Sequence, residues 1–221
     1  MPQDLKDLAN SRSKKLADIL RAGPIVPVIT LERVEDAVPL ARALVAGGLR
    51  LLEITLRTPA AADSAAAIIQ DVPEAIVGIG TVLTPKDLER ARALGARYAL
   101  SPGATPDLLE AASGGELPFI PGIATASELM AALAHGFPVV KFFPAVAAGG
   151  IPAMKALAGP FPQARFCPTG GIDEKNARDW LALSNVVAVG GSWVCQTSDI
   201  RAQAWGEITA KAQRAVMSVK E

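Results

Sequence analysis

Leu51-Leu-Glu-Ile-Thr55, Pro59–Gln70, Ile76-Val-Gly-Ile-Gly-Thr81, Pro85–Leu94 and Tyr98-Ala-Leu-Ser101 follow one another in one unbroken run. The first, third and fifth are short and aliphatic, the signature of buried strands; the second and fourth carry helix chemistry. The same alternation extends in both directions. Strands are expected at Ile25–Thr30, Phe119–Ile123, Val139–Phe143, Arg165–Thr169 and Val186–Gly190. Helices are expected at Glu32–Ala46, Pro106–Ala112, Ala126–Ala134, Ile151–Leu157 and Glu174–Leu183. Thr84-Pro85 and Thr105-Pro106 place threonine at an N-cap with proline in the first turn, and Gly47, Gly95 and Gly136 stand where helices should stop. Strict alternation implies a parallel sheet with right-handed crossovers. Eight units predict an α/β fold of the (β/α)8 TIM barrel type, with residues 1–221 as a single domain. A doubly wound open sheet would want a Gly-x-Gly-x-x-Gly turn after an early strand, and the sequence has none. Two helices lie outside the repeat. Leu5, Leu8, Leu16, Ile19 and Leu20 give an N-terminal helix, about residues 1–22, an apolar stripe suited to covering the barrel floor. Ile200, Ala204, Ile208, Ala212, Ala215 and Val219 do the same for one last helix.

Composition narrows the function. The 221 residues are half apolar, enough for a sizeable core. Lys plus Arg equal Asp plus Glu at 22 each, so net charge offers no pull toward nucleic acid or an anionic membrane. The N-terminus is polar, without an apolar signal core, and no apolar run reaches membrane-spanning length. The expectation is a cytoplasmic protein. Cys167 and Cys195 lack metal-binding spacing and read as buried thiols. His135, the only histidine, precedes Gly136 at a helix end, where an imidazole suits the helix C-terminus. One histidine and two remote cysteines argue against a zinc site and against a histidine-based triad. No metal and no cofactor are expected.

Lys141 lies inside the most apolar stretch, Pro138-Val-Val-Lys-Phe-Phe-Pro144. An ordinary lysine has a pKa near 10.4, so about one in 2,500 carries the free amine at neutral pH. Apolar surroundings favour the free amine and make such a side chain a usable nucleophile. A lysine that snorkels to solvent or pairs with a carboxylate is the competing reading.

In a barrel of this kind the chemistry sits at the C-terminal ends of the strands. The polar residues there are Glu53, Thr55 and Arg57 after strand two, Thr81 after three, Ser101 after four and Lys141 on six. Thr169, Gly170 and Gly171 follow strand seven; Gly190, Gly191 and Ser192 follow strand eight. Glu53, Thr55 and Arg57 share one strand face and suggest proton transfer and anion recognition, or else an internal salt-bridge set. Glycines in the last two loops, with the Ser192 hydroxyl, fit a phosphate group. Glu53 is the one clear carboxylate at the strand ends, a poor basis for a magnesium site. Asp173 reads as a helix cap.

Leu52-Glu-Ile-Thr-Leu-Arg-Thr58, Gly78-Ile-Gly-Thr-Val-Leu83, Ser101-Pro-Gly103, Pro121-Gly-Ile-Ala-Thr125, Lys141-Phe-Phe-Pro-Ala145, Pro168-Thr-Gly-Gly-Ile172 and Gly190-Gly-Ser-Trp193 closely resemble the 2-keto-3-deoxy-6-phosphogluconate (KDPG) aldolase family. The motifs run in order from strand two to strand eight; Ile79 stands where alanine is common. The resemblance implies a metal-independent class I aldolase, a homotrimer, that splits the phosphorylated keto acid into pyruvate and glyceraldehyde 3-phosphate. It assigns the Schiff base to Lys141 and proton shuttling to Glu53. Arg57 and Thr81 would hold the pyruvyl carboxylate, helped by the turn at Pro102, and Gly170, Gly171 and Ser192 would bind phosphate. Side activity on 4-hydroxy-2-oxoglutarate is also implied. The rivals are an aldolase for the C4 epimer, 2-keto-3-deoxy-6-phosphogalactonate, and a non-catalytic phosphosugar-binding barrel, which would need neither Lys141 nor Glu53.

Overall fold

The computed structural model describes residues 3–219, with side chains from residue 7 to 219; Leu5 of the predicted N-terminal stripe lies outside the described side chains. Helix α1 (Gln3–Leu20) is followed by β1 (Ile25–Ile29), α2 (Ala37–Ala46), β2 (Leu51–Thr55), α3 (Ala61–Asp71), β3 (Ile76–Gly80), α4 (Pro85–Ala93), β4 (Tyr98–Leu100) and α5 (Pro106–Ser113). Then come β5 (Phe119–Ile120), β6 (Gly122–Ile123), α6 (Ala126–Ala134), β7 (Val139–Phe142), α7 (Gly150–Ala158), β8 (Arg165–Pro168), α8 (Ala177–Leu181), β9 (Val189–Gly191), α9 (Thr197–Arg201) and α10 (Trp205–Ser218).

The strands are parallel and form two sheets, one of six in the order β5-β4-β3-β2-β1-β9 and one of three in the order β6-β7-β8. The expected single strand Phe119–Ile123 is two segments, because Pro121 has no N–H to donate and stands where the chain passes from one ladder to the other. β5 pairs with β4, and β6 pairs with β7, Gly122 opposite Lys141. Isolated bridges Phe166–Val186 and Thr169–Gly190 connect the β8 side to the β9 side.

Local chemistry sets the helix ends. Thr84 and Thr125 each form a reciprocal capping box, with Asp87 and Glu128. Thr105 also caps its helix through its side chain. Gly95 and Gly136 take left-handed conformations after α4 and α6, while after α2 that role falls to Gly48 rather than Gly47. His135 ends α6 with Nδ1 on the Ala131 carbonyl at 2.8 Å. Three expected helices begin later. Residues Val34–Asp36 form a 3-10 turn ahead of α2, α3 starts at Ala61, and α8 covers only Ala177–Leu181. Asp173 holds the turn before α8, accepting from the N–H groups of Lys175 and Asn176.

The last stripe is carried by two helices. The chain turns at Gln203, in the left-handed region at φ 51°, so Ile200 belongs to α9 and only Ile208, Ala212 and Ala215 form the buried face of α10. Leu16 and Ile19 of α1 pack with Val26, Leu51, Tyr98, Leu100, Ile120, Cys167 and Ala188, so α1 closes over strand residues from both sheets. A second, larger cluster joins the outer strand faces to the helices.

Candidate active site

β2 and β7 belong to different sheets, yet they aim Glu53 and Lys141 at one another. Lys141 Nζ donates to Glu53 Oε1 at 2.8 Å, with Lys141 3% and Glu53 1% exposed. Two charges taken out of water in this way hold only in good geometry, and either one alone would be strongly unfavourable. Room for the carboxylate comes from β3, where a methyl group on Gly80 would overlap Glu53. The second oxygen, Glu53 Oε2, is buried and accepts no hydrogen bond among the described residues. Lys141 Nζ also lies 5.7 Å from the centroid of the Phe143 ring. So the expected apolar wall around Lys141 is present as Phe143, but the amine's direct partner is Glu53.

Burial keeps the groups beneath this pair neutral. Cys167, in register with Lys141 on the neighbouring strand, has its thiol pushed up to about 12 by burial, against the pull of Lys141. Tyr98 is held well above the usual phenol range, first by burial and then by Glu53. Cys195 is likewise raised by burial to about 12. Both cysteines are unpaired and buried.

Arg57 follows β2 in a turn and does not pair with Glu53; its Nε donates to Thr81 Oγ1 at 3.3 Å. Of the internal salt-bridge set considered for these residues, the Glu53–Lys141 pair is present and a Glu53–Arg57 pair is not, so the carboxylate and the guanidinium serve different partners. Thr81 sits at φ 60°, uncommon for a β-branched residue, and such strain is held by its surroundings at sites where a side chain must point one way. Pro102 packs against Gly122, the strand neighbour of Lys141, and the Gly122 N–H donates to Ser101 Oγ at 3.1 Å.

A cavity of about 260 Å³ brings together Arg57, Phe143, Thr169, Gly170, Gly171 and Ser192, with Val28 and Thr30 from the β1 side. Gly170 and Gly171 are both left-handed, at φ 100° and 77°, which lets the backbone turn tightly around the space. Phe143 ties the pair to this cavity, since its ring is both cavity wall and neighbour of Nζ. Lys141, Glu53, Thr81 and Pro102 do not line it. A larger groove, about 1070 Å³, lies on the outside between α4 and α5 and contains none of the strand-end groups above.

Thr30, Phe143 and Gly80 join the site in the structure beyond the residues that the sequence points to. Thr30 ends the first strand, so the rule that selected the other strand ends also finds it. Gly80 is legible only once Glu53 is seen to need the space. Among the described residues no cluster of three or more His, Cys, Asp or Glu side chains could hold a metal ion. None of the described helices is long and apolar enough to cross a membrane.

Comparison with known proteins gives this geometry a family. The family model described as "Aldolase: KDPG and KHG aldolase" matches residues 16–211. The KHG/KDPG aldolase of Escherichia coli (strain K12) is 53% identical over 202 residues, 91% of this chain and 95% of that protein. The 2-dehydro-3-deoxy-phosphogluconate aldolase of Dickeya dadantii (strain 3937) is 54% identical over 198 residues, 90% and 93% of the two chains. A crystal structure of KDPG aldolase from Legionella pneumophila, with pyruvate captured at low pH as a covalent carbinolamine intermediate, superposes with a TM-score of 0.88. It is 48% identical, with 90% of this chain and 96% of that one covered. With a match that runs from α1 into α10, the chain belongs to the KDPG and KHG aldolase family.

Proposed function

We propose that the chain is a class I aldolase cleaving 2-keto-3-deoxy-6-phosphogluconate to pyruvate and glyceraldehyde 3-phosphate, with Lys141 as the Schiff-base nucleophile. The observation that carries this reading is the buried Lys141–Glu53 pair. A binding protein has no use for it, while a covalent aldolase needs both members. Glu53 takes a proton from the Lys141 ammonium, and the freed amine adds to the C2 ketone to give a carbinolamine. Glu53 returns the proton to the departing hydroxyl, water leaves, and an iminium forms. Glu53, again a carboxylate, accepts the C4 hydroxyl proton; the C3–C4 bond breaks and its electrons enter the iminium as an enamine. The aldehyde departs, the enamine is protonated at C3, and hydrolysis releases pyruvate and the free lysine. The iminium supplies the electron sink, so this route requires no metal and no cofactor.

Arg57 and Thr81 hold the pyruvyl carboxylate, with the Pro102 turn alongside. Their mutual hydrogen bond supports a shared role, and the exposed planar guanidinium suits a bidentate carboxylate. Gly170, Gly171 and Ser192 take the phosphate; their common cavity with Arg57 supports a ligand that is anionic at both ends. Activity on 4-hydroxy-2-oxoglutarate is part of the proposal, in line with the name of the Escherichia coli relative. The C4 epimer is the weaker reading: the structure named "Native KDPGal structure" is 25% identical, against 48% for the Legionella enzyme.

The nine strand segments among the described residues make eight staves of a closed (β/α)8 barrel in this proposal. β5 and β6 count as one stave bent at Pro121, and the bridges at Val186 and Gly190 support closure between β8 and β9. One domain, a homotrimer and a cytoplasmic setting complete the proposal. The family resemblance supports the trimer, and two unpaired thiols suit a reducing compartment.

Borohydride reduction in the presence of pyruvate tests the whole reading. One pyruvyl group should be fixed per chain, on the peptide containing Lys141, and a chelator should leave turnover unchanged. Labelling on another lysine, or a chelator-induced loss restored by a divalent cation, would sink it.

The phosphate assignment has its own test. Ser192→Ala removes one donor, and a hydrogen bond to a charged group contributes roughly 1.5–3 kcal/mol, about a 10–150-fold loss in kcat/KM on the phosphorylated substrate. Turnover of 4-hydroxy-2-oxoglutarate, which has no phosphate, should be nearly unaffected. Equal losses on the two substrates would remove Ser192 from the phosphate site.

A further inference from the structure

We propose that Thr30 is a specificity residue that accepts a hydrogen bond from the C5 hydroxyl of the substrate, an inference that rests on the aldolase reading above. Thr30 follows β1 on the same face as Val28, and both line the cavity that holds Arg57 and Ser192. Behind it stands Thr55, 0% exposed. Thr55 Oγ1 lies 2.8 Å from the Ile29 carbonyl oxygen and 3.0 Å from Thr30 Oγ1. A hydroxyl carries one proton, and the carbonyl can only accept, so the Thr55 proton goes to Ile29. Thr30 must then donate to Thr55. Its own proton is committed to Thr55, so toward a ligand the Thr30 oxygen can only accept.

An acceptor fixed in this way discriminates among the groups of the keto acid. The C1 carboxylate and the phosphate are acceptors and are repelled by it. C2 becomes the iminium carbon, C3 carries no polar hydrogen, and the C4 hydroxyl gives its proton to Glu53. The C5 hydroxyl is the remaining donor. It neighbours the carbon that bears the phosphate, just as Thr30 shares its cavity with Ser192. Thr30 thereby reads the aldehyde half of the reaction, the part that Lys141 does not touch.

The test runs the full-length protein in the direction of synthesis, with pyruvate and two aldehydes. D-glyceraldehyde 3-phosphate carries the hydroxyl; 3-phosphonooxypropanal has the same chain without it. Thr30→Val keeps the branched shape and removes the acceptor. It should lower kcat/KM for the hydroxylated aldehyde about 5-fold and leave the deoxy aldehyde at the wild-type value, erasing the preference between them. Thr30→Ser should retain that preference. Equal losses on both aldehydes, or no loss on either, would overturn the proposal. Exchange of the pyruvate C3 hydrogens with solvent separates this failure from a failure of the parent reading. Exchange by the wild type alongside an unchanged preference in Thr30→Val removes only Thr30, whereas no exchange by the wild type removes the aldolase itself.

Discussion

Replacing Lys141 with alanine is expected to abolish cleavage, with a fall in kcat on the order of 10⁴–10⁶, the scale seen when a covalent nucleophile is removed. Among the described residues no other lysine lies on a strand, so borohydride with pyruvate should no longer label the protein. The substitution also leaves Glu53 buried without its partner, and breaking a buried pair from one side costs about 3–5 kcal/mol. A lower melting temperature is therefore part of the expectation. Thermal unfolding followed by circular dichroism distinguishes a folded, inactive variant from one that has lost its structure. Lys141→Met, nearly matched in length, provides a second variant with the same chemical deletion and less cavity. Persistent labelling in either folded variant would remove Lys141 from its role.

Glu53→Gln should produce the second largest effect, a fall in kcat of about 10²–10⁴ with KM little changed. Glutamine keeps the shape of the side chain and can still accept from Lys141 through its amide oxygen, but it leaves the buried ammonium without its counter-charge, so a lower melting temperature is expected beside the loss of rate. It can neither take the C4 proton nor return one to the departing carbinolamine hydroxyl. Borohydride trapping should consequently slow as well as turnover, because iminium formation passes through the same residue. Near wild-type kcat in a folded Glu53→Gln protein would reduce the pair to a structural ion pair holding two sheets together.

Much of this site is legible in the sequence, for a physical reason. Strand alternation and the caps at Thr84 and Thr105 are local signals, and chemistry at strand ends follows from the architecture once the alternation is recognised. Lys141, Glu53, Arg57 and the glycine loops are found by that route. Who meets whom is not local. Glu53 and Arg57 look like partners on one strand, yet β7, far along the chain, supplies the real partner of Glu53 while the loop after β3 supplies that of Arg57. The break between α9 and α10 is equally hidden, since apolar spacing continues through Ala202–Ala204 without glycine or proline. The division at Pro121 leaves a trace in the proline, but the run on either side still reads as one strand.

That division sets a condition on the chemistry. The six-stranded sheet carries Glu53 and the three-stranded sheet carries Lys141, so the proposed base and nucleophile stand on different sheets, joined at Pro121 and by the bridges at Val186 and Gly190. A slip of an ångström between packed layers is felt throughout a close-packed core. A 2.8 Å hydrogen bond does not survive it. Alignment between the sheets therefore acts as the tolerance to which this active site is machined. Selection for activity is, at the same stroke, selection for stiffness across the joint, and substitutions far from any substrate can be felt as lost turnover simply because they let one sheet drift against the other.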